Sequence, residues 1–249
     1  MASGTNMSFG ESAAIYNAIR QSYADEVIGR VTDIFGLTQS HSILDIGCGT
    51  GIATRQLAAR GFHLVGTDMD ADMIEKVRSV GQAGTYQVAD VSHLDFADAE
   101  FDGATAFGAF HWFSDEASVR SIQRVLRRGA AFIVVNKNDA GDFRDSIVEI
   151  VGRHVALGSA HPKLNYQPAK TLDVFGFNAV EETIIPMVEH LSPTQTIAHV
   201  RSMRLWEEVP PSLHDMIEAE LRSYVTDRLD ALETFQRPLK IKIVWGRKQ

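Results

Sequence analysis

Asp45, Asp68 and Asp90 are spaced almost evenly, 23 and 22 residues apart; Asp45 sits near the end of a short apolar run, and the other two each close one. Carboxylates are pure acceptors when ionised, so acids at such places can grip hydroxyls and amines. Between the first two lies Gly47-Cys48-Gly49-Thr50-Gly51. Alternating glycines let a backbone come close to a ligand and turn its N–H groups toward it. A fourth apolar run, Phe101 to Phe107, leads into Gly108-Ala109-Phe110-His111-Trp112-Phe113. His111 there can take a proton near neutral pH, beside aromatic side chains that could wall a pocket. As a plain structural residue it would pack or bond a backbone carbonyl instead. Cys48 reads as a small residue in a crowded turn, with a catalytic thiol the remote reading.

The elements that must carry these residues alternate in type. Ile43, Leu44 and Ile46 form a buried strand feeding a tight turn, and 52–60 reads as a helix closed by Gly61. His63 to Thr67 is a second strand ending in Asp68, and Asp70 caps a helix with Met73, Ile74, Val77 and Val80 on its apolar face. Thr85 to Ala89 is a third strand ending in Asp90. Open α/β sheets bind ligands at the carboxyl edge, so three acids ending consecutive units predict a ligand site there.

Spacing narrows the ligand. A dinucleotide fingerprint, G-x-G-x-x-G, would need glycine at 52, where the chain has Ile52, and a Walker A loop would need a lysine that is absent. An acid two places before the first glycine suits a cationic amine. Asp68 and Asp90 can accept from the hydroxyls or amines of a ligand, Met69 can lie against a flat ring, and the Val91 N–H can donate to a ring atom.

Asp45-x-Gly47-x-Gly49-x-Gly51, followed by Asp68 and Asp90, resembles the motifs of the class I S-adenosylmethionine-dependent methyltransferases. A His-Trp-Phe cluster after the fourth strand, here His111-Trp112-Phe113, recurs in a subgroup acting on small molecules. Phe9, Ala13, Tyr16 and Arg20 repeat a spacing common in the family's N-terminal helix. Leu126-Arg127-Arg128-Gly129-Ala130 stands where the family often has Leu-Lys-Pro-Gly-Gly, a mild departure.

The resemblance implies a doubly wound, three-layer α/β/α fold. Its seven-stranded sheet is mostly parallel, with the last strand antiparallel and inserted beside the fifth. It implies one domain over 1–249, its core about 37–137 plus 178–191 and 237–249. A helical lid, about 9–35 and 192–236, is expected over the carboxyl edge. S-adenosylmethionine is the implied cofactor, with S-adenosylhomocysteine the product. Its expected contacts are Tyr16, Arg20, Asp45, Gly47, Cys48, Gly49, Gly51, Asp68, Met69, Asp90, Val91 and Phe107.

Transfer to an O, N or C atom of a small molecule needs the acceptor held in line behind the methyl, about 3 Å away. His111 is the candidate base. His111, Trp112, Lys137 and Trp206 are the candidate acceptor contacts, roofed by the segments bearing Tyr16 with Arg20 and Trp206 with Arg201 and Arg204. A cyclase or other non-methyl enzyme reusing the pocket, or a non-catalytic cofactor-binding partner protein, would share the same motifs.

The rest of the chain bounds the class. With 32 acidic and 24 basic residues the net charge is −8, which argues against a nucleic-acid partner. The basic run at 237–248 reads as a solvated edge strand. No apolar run approaches ~18 residues, so no membrane span is expected. One cysteine permits no internal disulfide. Met1 to Ser8 lacks the pattern of a signal peptide, so a cytoplasmic enzyme, monomer or homodimer, is expected. Residues 1–6 read as small and polar, with Met7 a possible natural start.

His154 reads as a satisfied core residue. His161, His190, His199 and His214 show no metal-ligand spacing, and no metal is expected. Helices are expected over 9–20, 25–35, 191–206 and 211–232, with another marked by Phe143 to His154. A loop is expected at 158–167, strands over 180–190 and 239–245, and Ser114 as a helix cap.

Overall fold

The computed structural model describes residues 22–36, 40–81, 83–158 and 166–249. The expected helix over 9–20, with Tyr16 and Arg20, and most of the 158–167 loop lie outside the described residues.

Helix α1 (Asp25–Phe35) buries Val27, Ile28, Val31, Ile34 and Phe35 on one face and stops at Gly36, whose φ of +60° is left-handed. Four strands follow with their helices between them: β1 (Ser42–Ile46), α2 (Ile52–Ala58), β2 (His63–Asp68), α3 (Ala71–Val80), β3 (Thr85–Val88) and β4 (Phe101–Phe107). All four pair in parallel, β1 lying between β2 and β4. Then come α4 (Glu116–Val125), β5 (Leu126–Asp139), α5 (Phe143–Gly152), α6 (Pro168–Val174) and β6 (Phe177–Leu191). The chain continues through α7 (Pro193–Arg201), α8 (Arg204–Glu207) and α9 (His214–Thr226) into β7 (Phe235–Lys248). The sheet order is β3-β2-β1-β4-β5-β7-β6, mostly parallel with antiparallel last strands. This is the seven-stranded order implied by the resemblance.

Three local expectations are corrected. Asp115, not Ser114, caps α4: its side chain accepts from the Ser118 N–H at 3.0 Å and the Ser118 hydroxyl at 2.9 Å. Arg127-Arg128-Gly129 is not a turn between a helix and a strand beginning at Ala130. Leu126 already pairs with Phe101 and Ala131 with Gly103, so 127–130 bulge within one long strand. The basic run at 237–248 is not an edge strand either, because β7 lies between β5 and β6.

The described residues group into two compact units. One comprises 22–136, 166–185 and 241–249; the other comprises 137–158 and 186–240. The first holds α1, expected among the lid helices, and a core running through Leu44, Ile46, Phe101, Phe110, Ile122 and Phe132. In the second, α5, α7 and α9 pack around Ile147, Val200, Ile217 and Leu221, with Trp206 and Phe235. Arg237 is buried there and shared between Asp139 at 2.6 Å and Glu189 at 3.0 Å, while Glu189 also takes Lys137 at 2.8 Å. Two cations and two anions thus cancel in a site where a lone charge would be costly.

Candidate active site

The glycine loop is shaped by what it must pass. Gly47 has φ +67°, and a Cβ there would meet the Ala109 Cβ at 2.5 Å, so a side chain would push the loop off the turn after β4. Gly51 opens α2 at φ +75°, with Val77 2.4 Å from where its Cβ would be. A Cβ at Gly49 would meet nothing within 4 Å, which leaves room on that side of the loop. The Cys48 carbonyl accepts from the Gly51 N–H, and its thiol, pushed far up by burial, is no nucleophile.

Asp68 ties this loop to the end of β2. Its Oδ2 accepts from the Gly49 N–H at 2.8 Å and its Oδ1 from the Asp70 N–H at 3.0 Å. Each oxygen keeps a second lone pair. Burial raises the carboxyl above its ordinary range, and the two amides oppose that. Met69 beside it is 78% exposed. Asp90 is exposed and caps a 3-10 turn, Val91–His93; the Ser92 N–H and hydroxyl lower its pKa.

Asp45 departs from the amine contact expected of it. It is 1% exposed, and its two oxygens accept from the Thr54 hydroxyl at 2.5 Å and the Thr105 hydroxyl at 2.9 Å. It therefore braces α2 and β4 beneath the loop. Burial pushes its pKa from 3.8 up to about 6, against the two threonine bonds.

Below pH 3.8 the carboxyl is neutral folded and unfolded; between 3.8 and 6 only the unfolded chain ionises, so this contribution is lost as pH rises through 6. Two units correspond to about 3 kcal/mol. Asp45→Asn is expected to gain up to about that much stability at pH 7.5 and almost nothing near pH 4. Urea unfolding of cofactor-free protein across that range checks it, and a pH-independent difference would refute it.

The acceptor-side expectations divide. Phe110 is fully buried and packs edge-on against Phe113 and Phe132, anchoring the 3-10 turn Phe110–Trp112 at the end of β4. His111 is half-buried, 4.9 Å from the Trp112 ring, and Trp112 is 56% exposed. Phe107 ends β4 and stacks on Tyr23 at 4.8 Å; Tyr23 in turn exchanges hydrogen bonds with Gln56 of α2. Lys137 is engaged with Glu189. Trp206 is only 4% exposed, packed in the helical unit 5.0 Å from the His214 ring, so burial takes it out of the acceptor set.

Sequence reasoning missed Tyr23 and Tyr166. Tyr166 lies 5.9 Å from the His111 ring and 6.2 Å from Phe110, edge-on to both. Neither sits in a pattern that marks it; only their aromatic type beside unassigned segments hinted at them. Among the described residues no group of three His, Cys, Asp or Glu could hold a metal, and no helix is long and apolar enough to cross a membrane.

Residues 44–134 match the family described as a methyltransferase domain. A methyltransferase-like protein of Schizosaccharomyces pombe is 23% identical over 86% of this chain and 84% of its own length. A malonyl-[acyl-carrier protein] O-methyltransferase of Pseudescherichia vulneris is 31% identical over 49% of each chain, so the match spans about half of that relative. A solved protein of Anaeromyxobacter dehalogenans, described provisionally as a type II methyltransferase, superposes with a TM-score of 0.68 at 20% identity, over 92% of this chain and 97% of its own. The family match is confined to 44–134, and the α/β fold matches that of the methyltransferase neighbours. The comparisons support the class I S-adenosylmethionine-dependent methyltransferase class for this chain.

Proposed function

We propose that this protein transfers a methyl group from S-adenosylmethionine to a small-molecule acceptor. The observation that carries the reading is Asp68: its carboxylate is held by the Gly49 and Asp70 amides at the end of β2, beside an exposed Met69 and an open Gly49. Asp68 would take the ribose hydroxyls, Met69 the adenine face, and Asp90 with the Val91 N–H the adenine edge. Gly47, Cys48, Gly49 and Gly51 would give the close backbone approach. When bound, the cofactor supplies a methyl carbon made electrophilic by its sulfonium.

The chain then needs no covalent nucleophile. His111 takes the proton of an acceptor hydroxyl as the oxygen is methylated, and Trp112 shields the acceptor from water. An acceptor that attacks through an amine lone pair or a carboxylate would make no demand on His111. The acidic charge favours a small acceptor over a nucleic acid.

Isothermal titration is expected to show S-adenosylmethionine binding, with NAD and ATP much weaker, and incubation with candidate acceptors to release S-adenosylhomocysteine. Binding of NAD as tight as that of S-adenosylmethionine would defeat the proposal.

A further inference from the structure

We propose that Asn136 and Tyr166 form the polar end of the acceptor subsite, and that the acceptor is an uncharged planar molecule bearing a hydroxyl next to a carbonyl oxygen. The proposal rests on the methyl-transfer reading above. Asn136 directly follows Val135, the last residue of β5 in register with β4, and Val135 accepts from the Gly108 N–H at 2.7 Å. It therefore stands at the carboxyl edge where the turn bearing His111 and Trp112 begins.

Asn136 is 4% exposed, and neither its amide nitrogen nor its oxygen has a hydrogen-bond partner. The buried hydroxyl of Tyr166 lacks one too. The Asn136 amide lies near enough to this hydroxyl to ease its ionisation, yet short of hydrogen-bond geometry. Buried polar groups are almost always satisfied, and each orphan weakens the fold. Three orphan atoms side by side, at the edge where α/β sheets bind ligands, are what a site awaiting a polar ligand presents.

The chemistry of the set selects the ligand. An amide offers donors and an acceptor together, and a phenol that burial keeps protonated adds a donor. A hydroxyl beside a carbonyl oxygen complements that pattern. Asn136 and Tyr166 offer no formal charge to a buried ion, and an ion without a counter-charge is costly to desolvate. The rings of His111 and Trp112, 4.9 Å apart, give a planar molecule something to lie against.

The test uses the full chain saturated with S-adenosylhomocysteine, titrated with ortho-hydroxyacetophenone as the neutral probe and salicylate as the charged one. The parent is expected to prefer the neutral probe. Tyr166→Phe and Asn136→Leu are each expected to lose about tenfold or more of that affinity, the equivalent of one good hydrogen bond. S-adenosylhomocysteine affinity should stay within a few-fold. Each melting temperature should hold or rise by roughly 2–4 °C, because an orphan has been removed.

The proposal is overturned if salicylate binds as well as the neutral probe, or if no probe binds at about millimolar concentration. It is equally overturned if the variants bind the neutral probe as the parent does. A fall in melting temperature of either variant would mark the pair as structural and overturn it too. A parent that fails to bind S-adenosylhomocysteine would overturn both this proposal and the one beneath it.

Discussion

Asp68→Ala is expected to lower affinity for S-adenosylmethionine by about 10²–10⁴-fold while the sheet stays folded. Two contributions combine. A hydrogen bond to a charged acceptor contributes roughly 1.5–3 kcal/mol, and the proposed ribose contact makes two. The same carboxylate also holds the Gly49 N–H at 2.8 Å and the Asp70 N–H at 3.0 Å, so alanine would release the loop as well as the ligand. Asp68→Asn separates the two: its oxygen can still take one amide, but the charge on the ribose side is gone, so an intermediate loss is expected. Titration calorimetry with circular dichroism on the same samples decides the matter. Parent-like binding by Asp68→Ala would mean this acid is not on the ribose. A lost fold would mean that the loop bonds are chiefly structural.

The place of Asp68 was legible in the sequence because its bonds within the chain are local. It closes an apolar run one β-α step after Asp45, and its amide partners lie within the loop and the turn it ends. The α1 boundaries and the Asp70 cap were legible for the same reason, whereas the place of the last strand beside the fifth came only from the resemblance. Asp45 was only half legible. Its place at the end of β1 followed from the pattern, but its burial depends on Thr105, 60 residues away, which no local rule brings to it. Trp206 shows the reverse failure: an aromatic beside Arg201 and Arg204 looked like a binding surface, yet core packing in the helical unit claimed it. The 127–130 segment carried genuine turn residues, and Gly129 does take φ +80°, but strand pairing on both sides turned it into a bulge. Tyr166 follows no periodicity at all, and its meeting with His111 is purely tertiary.

His111→Ala is expected to cut methyl transfer to a hydroxyl acceptor by about 10²–10⁴-fold, the usual contribution of a positioned base. The geometry argues for a role at the reacting centre rather than in the core. Phe110, fully buried against Phe113 and Phe132, fixes the turn at the end of β4, so the neighbouring imidazole does not have to anchor it. His111 stays half-buried, between the exposed Trp112 ring and Tyr166. The proposed Asp68, Met69 and Asp90 contacts lie at the ends of β2 and β3, so affinity for S-adenosylmethionine should stay within a few-fold. A falling kcat with unchanged cofactor binding is the signature of a group acting in the transition state. Trp112→Ala should lower turnover less, by loosening the acceptor and admitting water, and should raise KM as well. Single-turnover assays at saturating cofactor, with calorimetry on each variant, separate the outcomes. If cofactor affinity collapses with His111→Ala, the histidine belongs to the cofactor pocket. If turnover of a hydroxyl acceptor is unchanged, the proton leaves by another route and His111 is not the base.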